Sequence, residues 1–180
     1  MTSFMPRSWS PLRAAIILAS LAPGCSSSTD SNGSQSGADF IRFQASGVQV
    51  QFVDQVASPV GAVLAPAANG FTLNVTGGSA PTASPFSNIQ LTVIDFSPIT
   101  TKTYAGFTVG GGGTFTSTSI TYNVGSTGYD NTAAGTSTDV QITITAITST
   151  TVIGVFSGTV KSKGGATVTI VGGSFQAKRL

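Results

Sequence analysis

A period-two alternation of apolar and polar residues is the feature that most narrows what this chain can become. In "VQVQFV", Val48, Val50 and Phe52 fall on one side and Gln49 and Gln51 on the other. "FTLNV" aligns Phe71, Leu73 and Val75, and "IQLTV" aligns Ile89, Leu91 and Val93. "SITYNV" sets Ile120, Tyr122 and Val124 against Thr121 and Asn123, and "VQITITAI" sets Val140, Ile142 and Ile144 against Gln141, Thr143 and Thr145. "VIGVFSGTV" and "TVTIV" continue the habit toward the C-terminus. A strand turns successive side chains to opposite faces, so each run reads as a half-buried β-strand. Gly, Pro, Asn and Ser clusters between the runs supply the turns. Beyond residue 38 nothing sustains a period of 3.6. Residues 58–70, "SPVGAVLAPAANG", come nearest to a helix, but Pro59, Gly61 and Pro66 make the segment a loop. The pattern predicts an all-β fold: an antiparallel β-sandwich of about seven to nine strands, with a closed β-barrel as the alternative.

At 180 residues the chain accommodates one domain with a sizeable core. A single cysteine rules out an internal disulfide, so apolar packing between sheets must carry stability. Charge is sparse, at 8% of residues against a usual quarter. From Cys25 onward, six basic residues meet six aspartates. A nucleic-acid partner is therefore not expected, because displacing phosphate counterions needs a concentrated positive field. Lys161, Lys163, Lys178 and Arg179 gather near the end and read as solvated strand edges, where lysine discourages further pairing.

The same composition argues against catalysis. Histidine and glutamate are absent, and the aspartates are scattered singly. General acid–base chemistry near neutral pH draws on exactly those missing groups or on a perturbed carboxylate pair. Asp95, between Ile94 and Phe96, is the best candidate for a shifted carboxyl. No Ser or Lys lies in a nucleophile motif, and the chain is read as a non-enzyme without a cofactor. "VGGGGTF", residues 109–115, lacks the lysine and following helix of a phosphate loop and reads as a flexible hairpin connection. Residues 128–139 offer Asp130, Asn131 and Asp139 as oxygen donors for calcium. Their spacing fits no known calcium loop, and ordinary turn chemistry accounts for them, so no metal site is assigned. Thr143, Thr145, Thr167 and Thr169 make rows of the kind that bind ice or flat polysaccharide, although outward threonine is also simply a good strand residue.

The N-terminal part follows a different logic. Arg7 and Arg13 precede "AAIILASLA", a nine-residue apolar run at 14–22. As a helix it would rise about 14 Å, half the roughly 30 Å hydrocarbon core of a bilayer, which suits a secretion signal and not a span. Cleavage after Ala22 would leave Pro23 first, and proline fits an extended protease-bound strand badly. Cleavage before Cys25 follows the small residue Gly24.

Leu21-Ala22-Pro23-Gly24-Cys25 resembles the lipobox of bacterial lipoproteins, in which a small residue precedes a cysteine that receives a diacylglyceryl thioether. The usual order is Leu, Ala or Ser, Gly or Ala, then Cys; here leucine stands one place early and proline intervenes. The resemblance implies a signal peptide over 1–24 and lipidation of Cys25 with two or three fatty chains of the palmitate kind. One chain anchors only reversibly, and two or three hold permanently. The next twelve residues, "SSSTDSNGSQSG", have nothing apolar to bury and read as a tether with a reach of roughly 19 Å. Residues 25–37 are thus lipidated cysteine and tether, and 38–180 a single all-β domain. Ser26 after the cysteine resembles lipoproteins sent to the outer membrane.

"GVFSGTVKSKGGATVTIVGGSF", residues 154–175, resembles the closing hairpin of small bacterial lipoprotein domains of unknown function, through Gly154, Phe156, Ser157, Gly158, Thr169, Gly173 and Phe175. "KTYAGF" and "SITYN" are similar to that family's middle strands. The resemblance implies an envelope-attached β-sandwich and no activity. On the residues themselves, Gly154 and Gly158 are side-chain gaps that could admit a ring such as Phe175. Two functions stay open: a non-catalytic envelope module held to the membrane by its lipid, and a lipoprotein that captures a glycan or small apolar molecule. The protein or glycan partner is not identified. Exposed Tyr104, Tyr122 and Tyr129 around a concave sheet would favour capture; buried rings favour the module.

Overall fold

The structure is a computed structural model that describes residues 38–131 and 139–180. Among them it has twelve strands: β1 (Phe40–Ala45), β2 (Val48–Val53), β3 (Gly61–Ala67), β4 (Gly70–Gly78), β5 (Ser87–Asp95), β6 (Thr103–Ala105), β7 (Phe107–Val109), β8 (Phe115–Val124), β9 (Thr127–Asp130), β10 (Gln141–Ile147), β11 (Thr151–Ser162) and β12 (Thr167–Arg179). The fold is all-β. The strands outnumber the expected seven to nine because β6, β7 and β9 are too short to display a period.

All twelve strands belong to one mixed hydrogen-bonded sheet that doubles over into two layers, β2-β1-β12-β11-β10-β6 and β3-β4-β5-β8-β9, with β7 beside the start of β8. The layers face each other across one core. The Phe43 ring of β1 meets the Tyr122 ring of β8 edge-on at 5.3 Å. At Gly77 of β4, an added Cβ would lie 3.0 Å from the Ile41 side chain of β1. Two short junctions join the layers: Gly61 of β3 stands opposite Lys178 of β12, and Asp130 of β9 opposite Lys161 of β11. The hydrogen-bonded path therefore closes through β12, β3, β4, β5, β8, β9 and β11. The β3–β12 pairing is parallel, a departure from the all-antiparallel expectation. It arises because the β2–β3 connection carries the chain across to the second layer, where β3 starts as β12 ends.

The alternation places its residues as expected. Leu73, Val75, Ile89, Leu91, Val93, Ile120, Tyr122, Val140, Ile142 and Ile144 are buried. Val48 is the exception at 66% exposed, since β2 pairs only with β1 and forms the margin of its layer.

Residues 58–70 correct the loop expectation, because β3 occupies their centre. Pro66 is tolerated there: past Ala62 the strand pairs only with β4, so its missing N–H breaks no ladder on the outer side. The cationic residues correct another. β11 is paired on both sides, so Lys161 is exposed at the end of a hairpin and not on a free edge.

Glycine sets the closest packing. Gly154 lies opposite Phe175 and Phe156 opposite Gly173 on β11 and β12. A Cβ at Gly154 would sit 2.6 Å from the Phe175 ring and 2.5 Å from the Thr143 carbonyl oxygen; one at Gly173 would sit 2.7 Å from the Phe156 ring. Each ring lies over a glycine, and the two rings are 6.3 Å apart. Gly158 is also a gap, but Val140 and not a ring fills it, at 2.7 Å from an added Cβ. It follows a register shift with φ +147, so its requirement is conformational as well as steric.

Candidate functional site

Asp95 ends β5 and is 5% exposed. Its Oδ1 accepts the Ser97 N–H at 3.0 Å, a local turn of the kind short acidic side chains favour. Its Oδ2 accepts from Lys102 Nζ at 2.7 Å. The loop between them is held twice: Ile99 is buried at 7% exposed, and the Tyr104 hydroxyl accepts the Thr100 N–H and donates to the Thr100 carbonyl. Lys102 also lies 4.7 Å over the Tyr104 ring. Burial pushes the Asp95 carboxyl up, but the Lys102 and Ser97 hydrogen bonds with the Lys102 charge outweigh it and hold it below its ordinary 3.8. The Asp95 hydrogen bond raises Lys102 from its ordinary 10.5. Asp95 is thus an ionised, neutralised partner, which is unsuited to general-base work.

Beside this loop stands the β7–β8 hairpin. Gly110 N–H donates to the Thr114 carbonyl at 2.8 Å, and Gly112 and Gly113 take φ +74 and +80, values that favour glycine. "VGGGGTF" is the hairpin connection expected of it. The Phe96 N–H donates to the Phe115 carbonyl at 3.2 Å and ties loop to hairpin. Between them is an open cleft of about 240 Å³, with Asp95, Phe96 and Ser97 on one side and Thr108, Thr114 and Phe115 on the other. Phe96 and Phe107 are each 50% exposed, Val109 is 69% exposed, and the Phe107 and Phe115 rings are 6.5 Å apart. Exposed aromatic rings grouped at one place mark an interaction surface better than scattered ones do.

The layer carrying the cleft has almost no charge. Its ionic residues are Asp95 and Lys102, which neutralise each other, and Asp130 at the end of β9, opposite Lys161. Apart from Ile94 and Phe115, the outward positions of β4, β5 and β8 are amides and hydroxyls, some already linked: Gln90 Nε2 donates to Asn74 Oδ1, as does Thr92 Oγ1, and Asn123 Nδ2 donates to Asn88 Oδ1.

The other residues singled out in the sequence fall elsewhere. Tyr104 and Tyr122 are buried at 1% and 6% exposed, and Tyr129 packs on Tyr122 with ring centroids 6.4 Å apart. Burial, then the neighbouring Tyr129, raises the Tyr122 hydroxyl above its ordinary 10.0. The tyrosine platform that would have favoured capture does not exist. Asn131 is buried and spent on the backbone: its Oδ1 accepts the Ile120 N–H at 2.9 Å and its Nδ2 donates to the Thr118 carbonyl at 2.9 Å. It substitutes for a strand beside β8 and is not placed as a calcium ligand. Among the described residues no group of three or more His, Cys, Asp or Glu could hold a metal. Thr143 and Thr169 lie on β10 and β12, separated by β11. The threonine rows are therefore not adjacent. Cys25, with the signal and tether, lies outside the described residues.

No protein-family model, no curated protein and no solved structure matches the chain. What fold and site define is a class: an all-β body with a cleft rimmed by aromatic rings in a sparsely charged layer.

Proposed function

We propose that the protein is a bacterial envelope lipoprotein, held at the membrane, most simply the outer membrane, by acyl chains on Cys25 and displaying its β-body as a non-catalytic interaction module. The observation that carries this reading is the order of the first forty residues. A short apolar run ends at the chain's only cysteine, a polar run follows, and β1 begins at Phe40. Apolar run, acylated thiol, solvated leash and folded body are what an anchored domain needs in that sequence. Support for a non-catalytic role comes from the site: its one buried carboxylate is paired with Lys102, and the chain has no histidine to move a proton.

The test is fractionation in a bacterium with an outer membrane, comparing wild type with Cys25→Ser. Wild type should sediment with membranes through a high-salt wash and incorporate labelled palmitate, and the variant should do neither. A wild-type protein found unlabelled in the soluble fraction, or a variant that stays membrane-held, overturns the reading.

A further inference from the structure

We infer that the cleft between the 96–102 loop and the β7–β8 hairpin binds one ring of a neutral saccharide, making an uncharged glycan the partner of the module. This rests on reading the domain as a non-catalytic binding body, and it does not depend on the anchor. Elimination by charge does much of the work. An anionic ligand finds no uncompensated cation, because Lys102 is spent on Asp95; a cationic ligand finds no uncompensated carboxylate, for the same reason. The next carboxylate, Asp139, adjoins Val140, whose carbonyl accepts the Gly106 N–H, and it does not line the cleft. A neutral ligand is what remains.

The lining then separates a sugar from a purely apolar guest. Ser97 and Thr108 bring hydroxyls that donate and accept, and the Thr114 hydroxyl, which donates to the Gly111 carbonyl, keeps acceptor capacity. An apolar guest would strand these groups without water. Phe96 and Phe115 flank the cleft, and a pyranose offers a C–H face to stack on such rings and hydroxyls at its edge. At about 240 Å³ the space falls below the roughly 300–1,000 Å³ of ordinary small-molecule sites, so it takes one ring and not a length of chain. The rest of a longer glycan would extend over exposed Phe107 and the amide- and hydroxyl-bearing face of β4, β5 and β8.

The experiment is saturation-transfer NMR and calorimetry on the full-length protein. The probes are neutral oligosaccharides of glucose, mannose, galactose and N-acetylglucosamine, with polygalacturonate as the charged comparison. At least one neutral probe should bind with a dissociation constant on the order of 1 mM, as expected for a ligand gripped through a single ring. Binding should be insensitive to salt, weaken by roughly tenfold in Phe96→Ala, whose ring is half exposed and outside the buried core, and persist in Cys25→Ser. Failure of every neutral probe at about 20 mM, preferential binding of polygalacturonate, or affinity unchanged in Phe96→Ala overturns the inference. Because the anchor variant is measured in parallel, loss of membrane attachment and loss of sugar binding are read independently.

Discussion

Replacing Gly154 with alanine tests the packing that holds the two longest strands together. The added Cβ would stand 2.5 Å from the Thr143 carbonyl oxygen and 2.6 Å from Phe175 Cζ. Real carbon contacts need about 3.5 Å, so something must move by roughly 1 Å. Neither neighbour yields easily: one is backbone of the adjacent β10, the other a fully buried ring packed on Phe156. Overpacking a tight core costs about 1–3 kcal/mol, and two rigid obstacles place this site at the upper end. Alanine also removes unfolded-state freedom, which returns about 0.4–1 kcal/mol. A net loss of about 2 kcal/mol follows, which for a domain of this size lowers the melting temperature by roughly 6–8 °C. Urea and thermal unfolding followed by circular dichroism measure it. Gly111→Ala is the internal control, because its added Cβ meets nothing within 4 Å and its φ is not left-handed. In a Phe175→Leu background one obstacle is reduced, so the Gly154→Ala penalty should shrink, a coupling expected of residues in contact. A Gly154→Ala protein at least as stable as wild type would refute the glycine–phenylalanine packing.

Three further outcomes follow from single residues. Thr118 is 2% exposed and its hydroxyl has no hydrogen-bond partner among the described residues, so Thr118→Val should raise stability by about 1 kcal/mol in urea titration. Asn131→Ala leaves the Ile120 N–H and the Thr118 carbonyl unpaired and should cost about 2–4 kcal/mol, with no response to added calcium in either protein. The Asp95 carboxyl is held below its ordinary 3.8, so its contribution to stability is complete above that pH and is lost as pH falls through the lower folded value. Asp95→Asn should therefore be less stable than wild type at pH 7, with the gap closing below pH 3.8 in an acid titration followed by fluorescence or circular dichroism.

Residues that alternate announced their own places. β4, β5, β8 and β10 are central strands with one face in the core, so Leu73, Ile89, Ile120 and Ile142 carry a clean period-two signal. The signal fades where a strand lies at a margin or has few residues. β3 hides behind Pro66, acceptable only because one side of the strand is unpaired there; β6 and β7 have three residues each. β1 carries the same alternation, Ile41, Phe43 and Ala45 inward against Arg42 and Gln44, with only Phe40 out of step at its start.

The site was legible in pieces. Asp95 and the glycine run each stood out, one for its apolar neighbours and the other for its composition. Their meeting depends on pairing of β5 with β8 and on the Phe96–Phe115 backbone bond, which no local pattern encodes. Asn131 looked like a turn residue or metal ligand because its type suits both. Only burial separates those roles from its task of pairing with β8.

The most direct measurement is the intact mass of the protein extracted from membranes of a bacterium with an outer membrane. The expected species begins at Cys25 and carries a diacylglyceryl group, alone or with one further acyl chain. A mass that begins elsewhere, or that leaves Cys25 with an unmodified thiol, would contradict the account.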